Sequence, residues 1–295
     1  MQTYADVFLS NGQFLAGLQS ACIDLDKLQE YLGSEGNATI RKTLASAAPD
    51  EDGLAEVVTY SMIGTSTGRL VVESGPQVLT LPKKHRDIFC SGHRGGTVYQ
   101  IDFISLEPRV ARLVAELPTQ RDVYESISGE IFAQELSRKE VKLAVLCALY
   151  GVSARRLSNM LAGKAIATEV IRQVKKYFAV GALVLRLREQ LERCGYIENF
   201  YGRRLYLQND SDNIMISHYL QSSAVDVALL GFSQMLSKFN GSGLEIKPLL
   251  VIHDALLVDV PPSQEQTFRE LVSAGVTLDG LGSFPLSLDV VSRST

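Results

Sequence analysis

The sequence predicts an α+β protein, and three observations carry that expectation. Short β-rich runs bounded by glycine and proline lie at 56–63, 69–74, 97–103 and 247–260. A block over 121–195 has helical periodicity almost throughout, with breaks around Gly151 and Gly163. The strands and helices are segregated along the chain instead of alternating, so a helical insertion between strand-bearing segments fits better than a parallel α/β sheet.

Taken in order, residues 1–54 read as mostly helical and end in the acidic turn-rich loop at 48–53. Residues 97–103 form a glycine-bounded strand ending at Asp102, and a helix follows with Ser105 as its expected N-cap. Residues 196–207 suggest a hairpin around Tyr201-Gly202, and a long helix then runs from about Ser211 to Phe239. Two apolar runs on either side of His253-Asp254 read as strand, turn, strand. A helix over 263–273 and a strand near 285–291 close the chain.

The 295 residues carry 29 basic and 33 acidic side chains, a net charge of −4, and 46% are hydrophobic. That composition is typical of a globular protein and excludes a disordered or fibrous one. No apolar run reaches the ~20 residues that span a bilayer, and the N-terminus has no secretory pattern, so a cytoplasmic protein without membrane contact is expected. In a phage-encoded protein the compartment would be the host cytoplasm. Cys22, Cys90, Cys147 and Cys194 are scattered and read as reduced thiols. Cys90-x-x-His93 has zinc-ligand spacing, but a structural site needs four ligands and no second pair is nearby. His85 and His218 read as surface or helix residues, and Asp24 and Asp26 as helix-surface charges. Between Leu136 and Gln208 there are fourteen Lys/Arg and five Asp/Glu, a local charge of +9, which leaves −13 elsewhere. A basic middle suits a polyanion such as nucleic acid, and solvated helices with charged faces give the same count.

Two aspartates stand where apolar strands end. Asp102 closes the first and Asp254 sits at the hinge of the second pair. Carboxylates so placed are held by a sheet yet remain accessible, and two on neighbouring strands repel unless a divalent cation lies between them. Mg²⁺ suits such a site because it takes few carboxylates and fills its octahedron with water and phosphate oxygens. On the helix expected over 137–150, Val141, Ala144, Val145, Ala148 and Leu149 form the core stripe. Arg138, Lys142, Leu146 and Tyr150, each four apart, run beside it. Two cations and a ring on one side suit a triphosphate and a base, and a snorkelling basic edge gives the same pattern.

Six segments in order resemble the polymerase portion of family A DNA polymerases, the bacterial DNA polymerase I type. They are Thr67-Gly68-Arg69-Leu70, the stretch Asp102 to Arg109, and Arg138 with Lys142 and Tyr150-Gly151. The others are Gly195 to Glu198 with Gly202-Arg203-Arg204, Gln221 to Asp226, and Ile252-His253-Asp254-Ala255. The resemblance covers about residues 55–295. It implies a right-hand fold with a palm of antiparallel sheet and helices (55–117 and 203–295) and helical fingers (118–202). Residues 1–54 would be a short helical segment, either a reduced thumb or a partner-docking piece.

The implied activity is template-directed addition of deoxynucleotides to a primer 3′-hydroxyl. Asp102, Asp254 and the Phe103 carbonyl would hold two Mg²⁺ ions, with Mn²⁺ as a possible substitute. Arg138 and Lys142 would bind the dNTP triphosphate, Lys142 also acting as an acid. Tyr150 would pack at the nascent base pair, Leu146 would line the sugar, and Glu107 would exclude a ribose 2′-hydroxyl. Arg69, Arg109, Gln221 and His253 would contact primer-template DNA. The sequence departs from the family at Ala255, where glutamate is usual, and at Leu146, where an aromatic is usual. Residues 1–54 are too short for the family's thumb or exonuclease, so a protein partner supplying thumb, proofreading or processivity is expected. A single-subunit RNA polymerase relative and a non-catalytic nucleic-acid-binding subunit are the alternatives. Glu107 opposes the first, and joint retention of Asp102, Asp254, Arg138 and Lys142 opposes the second.

Overall fold

The computed structural model describes residues 3–163 and 165–294. The N-terminal stretch comprises α1 (Tyr4–Ala16), β1 (Cys22–Ile23), α2 (Leu25–Ser34) and α3 (Ala38–Ala45). Asp24 caps α2 by accepting the Lys27 N–H at 3.1 Å, and Asn37 caps α3 by accepting from Thr39 and Ile40. Then come β2 (Thr59–Ser61), β3 (Val71–Ser74), β4 (Phe89–Cys90) and β5 (Thr97–Phe103). The helical block contains α4 (Leu106–Leu113), α5 (Val123–Glu130), α6 (Arg138–Tyr150), α7 (Ala154–Leu161), α8 (Ala167–Tyr177) and α9 (Val180–Cys194). A short hairpin of β6 (Ile197–Glu198) and β7 (Arg204–Leu205) leads into the 30-residue α10 (Asp212–Gly241). The chain closes with β8 (Lys247–Ile252), β9 (Ala255–Val260), α11 (Glu265–Ser273), β10 (Val276–Leu278), β11 (Gly282–Phe284) and β12 (Leu286–Arg293).

The chain divides into two compact units, with divisions after Phe103 and within α10 after Ala224. The sheet unit holds Ala5–Phe103, Val225–Leu278 and the segment from Ser283. Its centre is a four-stranded antiparallel sheet in the order β12-β5-β9-β8. Every residue of β9 is buried, and all of β5 but Asp102, so these central strands are covered on both faces where a half-exposed strand would alternate. Residues 5–54 form no separate body. Ile23, Leu28 and Leu44 share a core with Ile88, Phe89, Val98, Leu250 and Leu257, because the amphipathic α2 and α3 must bury their apolar stripes. On α10, Gly231 permits a close approach: a Cβ there would lie 2.6 Å from the Phe103 ring.

The helical unit is built mainly from Ile104–Ala224. Helix α6 starts with a capping box in which Ser137 and Glu140 satisfy each other's backbone N–H groups. It ends at Gly151, whose φ of 68° is the left-handed conformation that suits glycine.

Two local expectations need correction. Ser105 precedes α4 but does not cap it: its φ is 54°, and its hydroxyl donates to Asp122 at 2.8 Å. His85 is not a surface residue, being 4% exposed with its Nε2 2.9 Å from Glu35 Oε2. It lies in a 3₁₀ turn over Lys83–Ile88 that packs into the core, which the sequence pattern does not signal. Among the described residues no helix is long and apolar enough to cross a membrane.

Candidate active site

In the sheet unit, strand register sets the positions of the two aspartates. Asp102 pairs across the sheet with Ala255, and Ile252 also pairs with Ala255. The β8–β9 turn is therefore only His253-Asp254, with His253 at φ 58° and exposed. Asp254 thus adjoins the residue facing Asp102. Burial first, and then the neighbouring Asp254, pushes the Asp102 carboxyl up to about 7, and Lys83 and Arg86 only partly oppose this. Arg86 Nη1 donates to Gln100 Oε1 at 2.6 Å, and Gln100 Nε2 reaches Asp102 Oδ2 at 3.5 Å.

A divalent cation fits this pair. The donors are hard carboxylate oxygens, one is held against its own charge by burial and by the other, and a cation would relieve both effects. Among the described residues no group of three or more His, Cys, Asp or Glu is arranged to hold a metal. Two carboxylates leave room for the water and phosphate oxygens that Mg²⁺ prefers. The same observation leaves Cys90 and His93 without a zinc set. Cys90 faces Cys22 across β4 and β1 with both thiols free, and burial pushes Cys90 up to about 11. Arg69 is exposed, just after the turn at Ser66-Thr67.

In the helical unit, α6 presents the expected stripe. Arg138 and Lys142 are exposed, and Leu146 and Tyr150 are half-buried, while Val141, Ala144, Val145, Ala148 and Leu149 are buried. Arg138 is ion-paired to Asp122 at 2.8 Å and its Cζ lies 5.1 Å from the centre of the Tyr124 ring. The Tyr150 hydroxyl donates to Glu107 Oε2 at 2.7 Å. Gln221 lies half-buried on α10.

Arg109, expected to contact DNA, is buried beside the 119–121 loop. It is 3% exposed and donates to Thr119 Oγ1 at 2.7 Å and to the carbonyls of Gln120 and Arg121. These hydrogen bonds tie the 119–121 loop to α4. Sequence reasoning passed over Gln100, Arg86 and Asp122. Gln100 had a signal, since residues i and i+2 of a strand share a face with Asp102. Asp122, before an apolar-periodic run, carried the signature of a helix N-cap.

The sequence profile of DNA polymerase family A matches residues 14–292, nearly the whole chain. The chain belongs to DNA polymerase family A. The family A match begins within α1, ahead of residue 55 where the recognisable motifs start. The chain is 26% identical to DNA polymerase I of Mycobacterium tuberculosis (strain H37Rv) over 311 residues, covering 90% of this chain and 34% of that protein. It is also 26% identical to DNA polymerase I of Treponema pallidum, covering 92% of this chain and 29% of the relative. It therefore spans about a third of the length of these curated relatives. Its fold is similar to the POL domain of Pol1 from M. smegmatis, solved in complex with DNA primer-template and dNTP. The TM-score is 0.67 at 20% identity, over 90% of this chain and 55% of the other.

Proposed function

We propose that this family A chain is a template-directed DNA polymerase that adds deoxynucleotides to a primer 3′-hydroxyl. The observation that carries the reading is the Asp102–Asp254 pair, Asp102 near the end of β5 and Asp254 in the β8–β9 turn beside the residue that faces it, with the Asp102 carboxyl pushed up by burial and by Asp254. Asp102, Asp254 and the Phe103 carbonyl would hold two Mg²⁺ ions, with Mn²⁺ as a substitute. Divalent ions bound there supply acidity for the attacking hydroxyl and countercharge for the phosphates.

The chain's own residues do the rest. Arg138 and Lys142, exposed one turn apart on α6, bind the triphosphate as fork and point charge respectively. Lys142 also donates a proton to the departing pyrophosphate. Tyr150 offers its ring to the nascent base pair and Leu146 borders the sugar. Glu107, tied to the Tyr150 hydroxyl, closes the space a ribose 2′-hydroxyl would need. Arg69, Gln221 and His253 contact the primer-template.

The test is primer extension on a recessed template with Mg²⁺ and dNTPs at low salt, which preserves phosphate contacts. Extension that follows the template and disappears in Asp254→Ala supports the assignment. Extension that survives Asp254→Ala removes the metal role from this residue. Equal incorporation of rNTPs and dNTPs would redirect the reading to an RNA polymerase.

A further inference from the structure

We infer that Asp122 is the positioning residue for Arg138, a fixed carboxylate that sets the guanidinium in the orientation that receives the triphosphate. This rests on the reading of Arg138 as a nucleotide-binding residue and adds to it the residue that makes the binding geometry specific.

Both oxygens of Asp122 are engaged. Oδ1 accepts the Ser105 hydroxyl at 2.8 Å and the Tyr124 backbone N–H at 2.9 Å, the latter capping α5. Oδ2 accepts from Arg138 Nε at 2.8 Å and lies 2.8 Å from Nη2. The Asp122 side chain is 13% exposed and that of Arg138 49%, so the carboxylate belongs to the fold and the guanidinium to its surface. Burial works against the Asp122 charge, but the hydrogen bonds from Ser105 and Arg138 outweigh it and keep the carboxyl below its ordinary range.

The geometry leaves the guanidinium usable. Of its five N–H donors, Asp122 takes the Nε edge, leaving both Nη1 hydrogens and one on Nη2 for phosphate oxygens. The Tyr124 ring, 5.1 Å from Cζ, limits tilting of the plane. Arg138 is the first residue of α6, whose start is held by the Ser137–Glu140 capping box. The loop before Asp122 is held by Arg109 through Thr119, Gln120 and Arg121. A long side chain that would otherwise sample many rotamers is thus ordered before nucleotide arrives, and preorganisation of this kind lowers the entropy cost of binding. The contrary arrangement, in which Asp122 competes with the triphosphate for Arg138, predicts the opposite sign.

Asp122→Asn tests this in the full chain, because asparagine keeps an oxygen for the Tyr124 N–H and the Ser105 hydroxyl, and hence the cap, while it loses the charge that holds Arg138. With dATP opposite template thymine, the KM for dATP should rise about tenfold, with kcat within about twofold and primer-template affinity unchanged. Arg138→Ala should raise KM at least as much, and adding Asp122→Asn to it should have no further effect. If Asp122→Asn lowers the thermal midpoint, Asp122→Ser, which also caps a helix but is too short to reach Arg138, takes its place. An unchanged or lowered KM in the Asp122 variant, beside a raised KM in Arg138→Ala, overturns the inference and leaves the polymerase reading intact. An effect that persists undiminished on the Arg138→Ala background also overturns it, since it would be purely structural. If Arg138→Ala itself leaves KM unchanged, the nucleotide-binding assignment fails and the inference goes with it.

Discussion

The Tyr150 hydroxyl donates to Glu107 Oε2 at 2.7 Å across 43 residues of sequence. Glu107 lies in the first turn of α4 and Tyr150 is the last residue of α6. The bond joins the residue assigned to the sugar to the residue assigned to the base. Glu107→Ala should therefore admit ribonucleotides, lowering discrimination between dATP and rATP by roughly a hundredfold or more, because a site loses selectivity when its excluding group is gone. Tyr150→Phe, which removes this hydrogen bond but keeps the ring, should relax discrimination less. Competition between the two nucleotides in single-nucleotide extension measures both, and unaltered discrimination in Glu107→Ala would remove the sugar-sensing role.

Gly231 meets the Phe103 ring so closely that even a methyl group must displace it. Phe103 also packs on Phe232 and Phe284, with ring centres at 5.2 and 6.1 Å, and it follows Asp102 directly. Gly231→Ala should destabilise the protein by about 1–3 kcal/mol through overpacking, despite the better helix propensity of alanine. Chemical denaturation measures this, and adding Phe103→Leu should recover part of the loss. A neutral or stabilising Gly231→Ala would show that the ring yields freely.

Arg109 is spent on the 119–121 loop. Arg109→Ala should cost about 1–3 kcal/mol of stability, since a buried guanidinium is removed together with its hydrogen bonds to Thr119 and to the Gln120 and Arg121 carbonyls. The salt dependence of DNA binding should stay as in the parent, because no phosphate contact is removed. A salt slope reduced by about one, with stability intact, would return Arg109 to the DNA surface.

The Glu35 carboxyl accepts the Asn37 N–H at 3.0 Å and lies 2.9 Å from His85 Nε2. The Asn37 bond first, and then His85, hold it down at about 2. A carboxyl lowered by folding contributes stability that is fully present above its ordinary value near 4.3 and is lost as pH falls toward the folded value. The thermal-midpoint gap between the parent and Glu35→Gln should thus be constant above about pH 5 and close between about pH 4 and 2. Melting curves across that range test it, and a gap that does not change with pH would mean the carboxylate charge contributes nothing.

Much of the architecture was legible in residue order. The strands ending at Asp102 and flanking His253-Asp254, the helix carrying Arg138 and Lys142, and the long α10 all follow from apolar periodicity and turn residues, which are local properties. The burial of His85 was not legible, nor was the inward turn of Arg109, because a polar residue is drawn inside only when distant segments supply its partners. Ser105 illustrates the same limit: its type and place suit an N-cap, yet a distant acceptor, Asp122, takes its hydroxyl. By itself the sequence determined the family, the α+β class and the placing of Asp102 and Asp254 at strand ends, since periodicity and short motifs act over a few residues. Only the tertiary structure decided the Asp102–Ala255 register, the Glu107–Tyr150 bond and the grip of Asp122 on Arg138, because each joins groups that only long-range packing brings within hydrogen-bonding distance.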